Sequence, residues 1–403
     1  MQRRTFLSHT CAASAGVATL TFSSRLLAAS PDSPRFLLVF LRGGYDALSL
    51  LVPTSGSFYQ EVRPHIAIPL AAGDQAGAVP LTEQWALHPA VEAPLRPLLQ
   101  ARQLSFIPFA GTDDTSRSHF ETQDSIELGQ PLGPQRNFQS GFLNRLASVL
   151  PGSPAMSFTD QLPTVFRGPV DIANTSLKGQ LKNGLNKPLQ SALASMYQHH
   201  PLGAKVQEGF EVRQEVSSTM AGNMAGEMEA ASRNAVSTNG FEQEARRMAR
   251  LMRERYALGF VDVGGWDTHV GQGQLTGYLA TRLGQLASGL AGFADEIGPT
   301  MWKQTTVVVI SEFGRTMREN GNRGTDHGHG SVYWALGGGL RGQKVLGEQT
   351  SIEARTLFQN RDLPVLNDYR ATLAGLFQRQ YGLSPSAIDK VFPACQPRDI
   401  GLI

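Results

Sequence analysis

Five short apolar runs set what this chain can fold into. They are RFLLVFL (Arg35–Leu41), LSFIPFA (Leu104–Ala110), ALGFVDV (Ala257–Val263), TTVVVIS (Thr305–Ser311) and VYWALG (Val332–Gly337). None alternates apolar with polar residues, the pattern of strands buried on both faces rather than on one. Helical patterns lie between them, over Val91–Ala101 and over Leu275–Ile297, where Leu275, Leu279, Leu283, Leu286 and Leu290 recur at three- and four-residue spacing. Strand–helix alternation of this kind predicts an α/β fold, a mostly parallel sheet with helices on both faces. The stretch 190–255 is different, rich in Met, Ala, Gln, Glu and Arg. It reads as a helical cap or insertion, with Met220, Met224 and Met228 as packing residues. Pro131–Pro154 reads as an irregular connection.

The first residues carry a separate message. Met1-Gln2-Arg3-Arg4-Thr5-Phe6-Leu7 precedes a mildly apolar stretch, Cys11 to Phe22, that is too short and too weakly hydrophobic to span a membrane. Residues 1–29 therefore read as a twin-arginine signal peptide, with cleavage near Ala28–Ser30. This implies the twin-arginine translocase as a partner during export, a periplasmic or secreted product, and no stable membrane span. Residues 30–403 are expected to form a single domain. Taking Arg3, Arg4 and Arg25 from 36 basic residues leaves 33, against 34 acidic ones. Such a near-neutral chain without basic runs gives no support for a nucleic-acid partner. Cys11 leaves with the signal, so Cys395 stands alone and excludes an internal disulfide or a cysteine metal site.

The chemistry-bearing residues follow the apolar runs, where ligands bind in parallel sheets. Arg42-Gly43-Gly44-Tyr45-Asp46 follows the first, and Asp46 is either a carboxylate at the sheet edge or a turn residue. Gly264-Gly265-Trp266-Asp267-Thr268-His269 follows the Ala257–Val263 run, and residues two apart in an extended loop point the same way. Asp267 and His269 together suit zinc, manganese or iron. Glu312, Phe313, Gly314 and Arg315 follow the Thr305–Ser311 run. Next, Asp326, His327 and His329 sit in a glycine-rich loop before the last run, the strongest local signal in the chain. After Leu104–Ala110, Ser118 with Glu121 makes a capping-box pattern at a helix start. Ser118 is either that cap or a nucleophile, and His119 either a ligand or an acid. Gly337-Gly338-Gly339 lacks the dinucleotide and Walker patterns, so no nucleotide cofactor is implied. His65, His88, His199 and His200 lack convincing partners and read as structural.

Four motifs, FLRGGYDALSLLVP, RSHFETQDSIELG, GGWDTH and SEFGRTMRENGNRGTDHGHGS, stand in this order behind the signal. The mature chain thereby resembles the exported bacterial family called domain of unknown function 1501, sometimes labelled sulfatase-like for its similarity to the alkaline phosphatase superfamily. The resemblance implies a three-layer α/β/α sandwich and a site for one or two divalent ions (zinc, manganese, calcium or iron) acting on phosphate or sulfate esters. Position by position it maps the superfamily's metal residues onto Asp46, Asp267, His269, Glu312 and one of His327 and His329, and its nucleophile onto Ser118; Asp326 beside them is a further candidate ligand. Where the superfamily has a second histidine after an aspartate, this chain has Phe313. The expected activity is metal-dependent hydrolysis of a small anionic ester or a sulfated or phosphorylated saccharide, with Ser118, His119 and Arg315 as catalytic residues and Arg315 clamping anionic oxygens. The alternatives are a non-catalytic binding protein of the cell envelope, or an isomerase or transferase of phosphorylated or sulfated sugars.

Overall fold

In the computed structural model, described residues are 29–30, 33–176, 193–197, 200, 202–203, 206–207 and 240–403. The signal-peptide reading and Met220, Met224, Met228 and His199 lie outside them, as does most of the expected insertion.

Each apolar run becomes a strand. In chain order the strands are β1 (Arg35–Leu41), β2 (Leu51–Pro53), β3 (Val79–Pro80), β4 (Trp85–Leu87), β5 (Leu104–Gly111), β6 (Ala155–Ser157), β7 (Ala173–Asn174), β8 (Leu258–Val263), β9 (Thr305–Ser311), β10 (Ser331–Leu336) and β11 (Asn367–Asp368). Eight of them form one sheet in the order β11-β5-β10-β9-β1-β8-β6-β7, while β2, β4 and β3 make a small sheet of their own. β1 pairs in parallel with β8 (Phe36 opposite Leu258) and with β9 (Arg35 opposite Thr305). β10 is antiparallel to both β5 and β9, and runs against the direction of the rest of the sheet.

Side chains of successive strand residues leave opposite faces of a sheet, so β1 feeds two cores. Leu37, Val39 and Leu41 pack on one side with Val91 and Leu95 of helix Pro89–Gln100, Met248 and Leu251 of helix Phe241–Glu254, and Leu283 and Leu286 of helix Tyr278–Ile297. Phe36, Leu38 and Phe40 pack on the other side with residues of helices Phe142–Val149, Tyr369–Tyr381 and Pro385–Val391. The result is three layers, helices on both faces of a mostly parallel sheet. Full burial of each such side chain is worth roughly 1.5–3 kcal/mol, and Phe36 adds an edge-on contact with Phe377 at 5.0 Å.

Two local readings change. Helix Phe142–Val149 lies inside the stretch expected to be irregular, burying Phe142, Leu143 and Leu146. Helix Phe241–Glu254, at the end of the expected insertion, belongs to the helical layer itself, because Met248, Leu251 and Met252 pack into the core under the sheet. No described helix is long and apolar enough to cross a membrane.

Candidate metal centre

The topology explains how the motifs meet. The ends of β1, β5, β8 and β9 and the beginning of the reversed strand β10 lie at one edge of the sheet. Residues that follow four strands and residues that precede a fifth therefore converge there.

Helix His119–Leu128 starts at this edge, and the Ser118 hydroxyl accepts the backbone N–H of Glu121 at 3.5 Å. That is the capping role. His119 turns inward, with its Nδ1 2.8 Å from Oε1 of Glu312. The loop after β8 is pinned by Trp266, which is buried, donates to the Val263 carbonyl at 2.9 Å and packs edge-on against Tyr45. This fixes Asp267 and His269 beyond it. The loop before β10 folds back on the one after β9, with Gly328 N–H on Gly314 O and Gly314 N–H on His329 O, both at 2.9 Å. Gly328 allows this approach, since a Cβ there would lie 2.4 Å from the Arg315 carbonyl carbon.

His119, Asp267 and His327 bring one ligand atom each within 4.8 Å of one another. His269 stands beside two of them, its Nε2 3.0 Å from Oδ1 of Asp267 and 3.0 Å from Nε2 of His327. His327 Nε2 is 3.4 Å from the same Oδ1, and His119 Nε2 is 3.6 Å from Oδ2. Ligand atoms at the corners of a tetrahedron around an ion about 2.1 Å away are roughly 3.4 Å apart. These separations bracket that value.

Protonation sharpens the point. His327 Nδ1 faces the Arg117 carbonyl at 3.0 Å, His269 Nδ1 faces the Asp326 carboxylate at 3.1 Å, and His119 Nδ1 faces Glu312. All three partners only accept, so each Nδ1 carries a proton and, in the neutral ring, each Nε2 presents a lone pair. Three lone pairs and a carboxylate then face one another, an arrangement that repels itself without a cation in its midst. His119 Nε2 is buried with no hydrogen-bond partner. Burial, with the positive charge of Arg315 adding to it, holds the His327 imidazole below its ordinary pKa, so a proton is a poor filler. Histidines that ligate metals are oriented in just this way, by an acceptor on the other ring nitrogen.

The remaining predicted residues take other places. Glu312 is fully buried and does not face the cluster as a ligand. Its Oε1 accepts from His119, Gly43 N–H (2.8 Å) and Gln123 Nε2 (2.9 Å), and its Oε2 from Ser311 (2.9 Å). Burial would raise its carboxyl, but the bonds from His119 and Gln123 outweigh it and hold the pKa below the ordinary range. Asp326 accepts from His269 and from Asn320 Nδ2 (3.1 Å), outside the cluster. Asp46 is not brought to the cluster: its carboxylate takes Arg63 through both oxygens at 2.7 and 3.0 Å, and also Ser49 and Gln272. Burial opposes its charge, yet Arg63 more than compensates and its pKa is lowered. His329 packs on Phe358 (4.9 Å between rings) and has its pKa lowered to about 4 by burial and then by the charge of Arg117. Arg315 is buried, donating to the carbonyls of Gly43, Gly44 and Thr325 and to Oδ1 of Asp267. A guanidinium so occupied is not a free clamp for substrate oxygens. Asp267 itself is 45% exposed; burial raises its pKa, but the Arg315 bond and charge lower it further, for a net decrease.

Several contributors lie inside the quoted motifs but were not singled out there as site residues. Gln123 links Glu312 to Arg42, whose guanidinium also holds Glu127 and Asp262; its position four residues after His119, on the same helix face, is the one signal that could have found it. Asn320 and the Arg117 carbonyl had no such signal. His88 caps helix Pro89–Gln100, accepting Ala90 N–H at 3.1 Å, and His65 pairs with Glu319, both as structural residues. The His200 ring accepts Leu202 N–H at 3.1 Å, and Cys395 is a free thiol.

Three comparisons bear on this arrangement. No curated protein matches the chain. A solved structure of a protein in the alkaline phosphatase superfamily from Vibrio parahaemolyticus is similar to it at 12% identity and a TM-score of 0.34, over 86% of this chain and 71% of that one. A family model described as "Protein of unknown function (DUF1501)" matches residues 33–392. The chain belongs to the DUF1501 family.

Proposed function

We propose that this protein is an exported, metal-dependent hydrolase of phosphate or sulfate esters. The observation that carries this reading is the set of imidazole lone pairs of His119, His269 and His327 facing the Asp267 carboxylate, each oriented by an acceptor on Nδ1. A divalent ion held by these four residues would polarise an ester oxygen and acidify a water molecule. Glu312 and Asp326 keep two of the imidazoles in the ligating tautomer, while Arg315 holds Asp267 in place. Exposure of Asp267 and His269 leaves the site open to solvent, as a catalytic centre requires and a closed structural one does not. Passage through the twin-arginine route would suit a chain that binds its ion after folding in the cytoplasm.

The test is metal analysis of the purified full chain, with a panel of aryl phosphates, phosphodiesters and sulfates assayed before and after chelation. Bound metal, turnover lost on chelation and restored by re-addition, and loss of both in Asp267→Ala and His327→Ala are expected. Unchanged metal content and turnover in those variants would refute the reading. One observation favours a second reading, a metal-binding protein without turnover: Ser118 serves as a helix cap and Arg315 is fully committed. Bound metal with no turnover across the panel would favour it.

A further inference from the structure

We infer that the centre holds a single ion, and that the buried guanidinium of Arg315 stands where a paired site would place its second positive charge. This rests on the metal reading above. Two-metal hydrolytic sites set their ions about 3.5–4 Å apart and need a second group of hard donors, usually with a carboxylate bridging the two. Among the described carboxylates around the cluster, those other than Asp267 are bonded away from it. Asp46 is saturated by Arg63, Ser49 and Gln272, and Glu312 by His119, Gln123, Gly43 and Ser311; Asp326 lies behind the His269 ring, its Oδ1 taken by His269 Nδ1 and by Asn320.

Asp267 is the one carboxylate left to bridge, and its Oδ1 already takes Arg315. That guanidinium cannot swing aside. It is 2% exposed and tied by Nε to Gly44, by Nη1 to Thr325 and by Nη2 to Gly43. A second dication on the same oxygen would meet a fixed positive charge in a poorly screened setting. Hydrocarbon closes another approach. The buried ring of Phe313 packs 4.9 Å from His119 and 5.0 Å from His327, centre to centre. Gly44, at φ +59, lies so close that a Cβ there would be 2.4 Å from the Phe313 ring.

The experiment counts ions in the full chain. Loaded with excess Mn2+ and freed of loose metal by gel filtration, it is expected to retain one ion per chain by elemental analysis. Its electron paramagnetic resonance spectrum should be that of isolated Mn2+, without the lines of a spin-coupled pair. Two ions per chain, or a coupled-pair spectrum, would overturn this inference and leave the hydrolase reading intact. No retained Mn2+, with none for Zn2+ or Co2+ either, would overturn the metal reading itself and this inference with it.

Discussion

Replacing Glu312 by glutamine removes one charge from beneath His119 and very little else. The side chain keeps its length, an amide oxygen in place of Oε1 still accepts from His119, Gly43 and Gln123, and an amide nitrogen in place of Oε2 can donate to Ser311, whose hydroxyl can turn to the Leu41 carbonyl. The His119 contact changes from a charge-assisted hydrogen bond, worth about 1.5–3 kcal/mol, to a neutral one of about 1 kcal/mol. A loss of roughly 0.5–2 kcal/mol in metal binding follows, a factor of about 2–30 in Kd. This sits at the low end of the effect usual for partners that orient metal-bound histidines. Competition against a fluorescent chelator at fixed pH measures it directly, with the melting temperature as control for folding. An unchanged Kd would refute the orienting role. A loss as large as that of His119→Ala would refute it in the other direction, since Glu312 would then be a ligand.

Asp46→Ala strands the buried Arg63 guanidinium and should cost about 3–5 kcal/mol of stability in denaturant unfolding while leaving metal stoichiometry unchanged. Because Arg63 holds the Asp46 pKa below its unfolded value near 4, that stabilisation is complete above about pH 4 and is lost as pH falls through the lower, folded value; acid titration of Tm for the wild type against Asp46→Asn checks the sign. Ser118→Ala should cost about 0.5 kcal/mol, the low end for a cap, given the long 3.5 Å bond, and should retain turnover; abolished turnover with metal still bound would make Ser118 the nucleophile. His329→Phe should leave metal affinity unchanged, since its ring lies against Phe358, and a tenfold loss by chelator competition would place it back in the cluster.

The unalternating runs announced the sheet, and the motifs after them announced the edge where the site would form. Which carboxylate does what was not legible. Asp46 and Asp267 both follow a strand and a pair of glycines, but only the fold brings Arg63 and Gln272 onto the first and three imidazoles onto the second. The His327-Gly328-His329 pair posed the same problem. Gly328 is clamped to Gly314, and that kink sends His327 and His329 to different neighbours where simple alternation would keep them together. Helix Phe142–Val149 escaped because two turns are too short for its apolar stripe to stand out from loop sequence.

Strand β10 is a seam. β5 and β11 reach the rest of the large sheet through it, for among the described strands β5 pairs with β10 and β11. His119 follows β5 on one side of that seam, Asp267 and His269 follow β8 on the other, and His327 arrives with β10 itself. An ion gripped by all four would work as a clasp across the two halves of the sheet. During synthesis the first three ligands must wait until β10 emerges and docks. The capacity to hold metal is then completed only when β10 joins the two sides of the sheet, and release of the ion becomes a gauge of when those sides part.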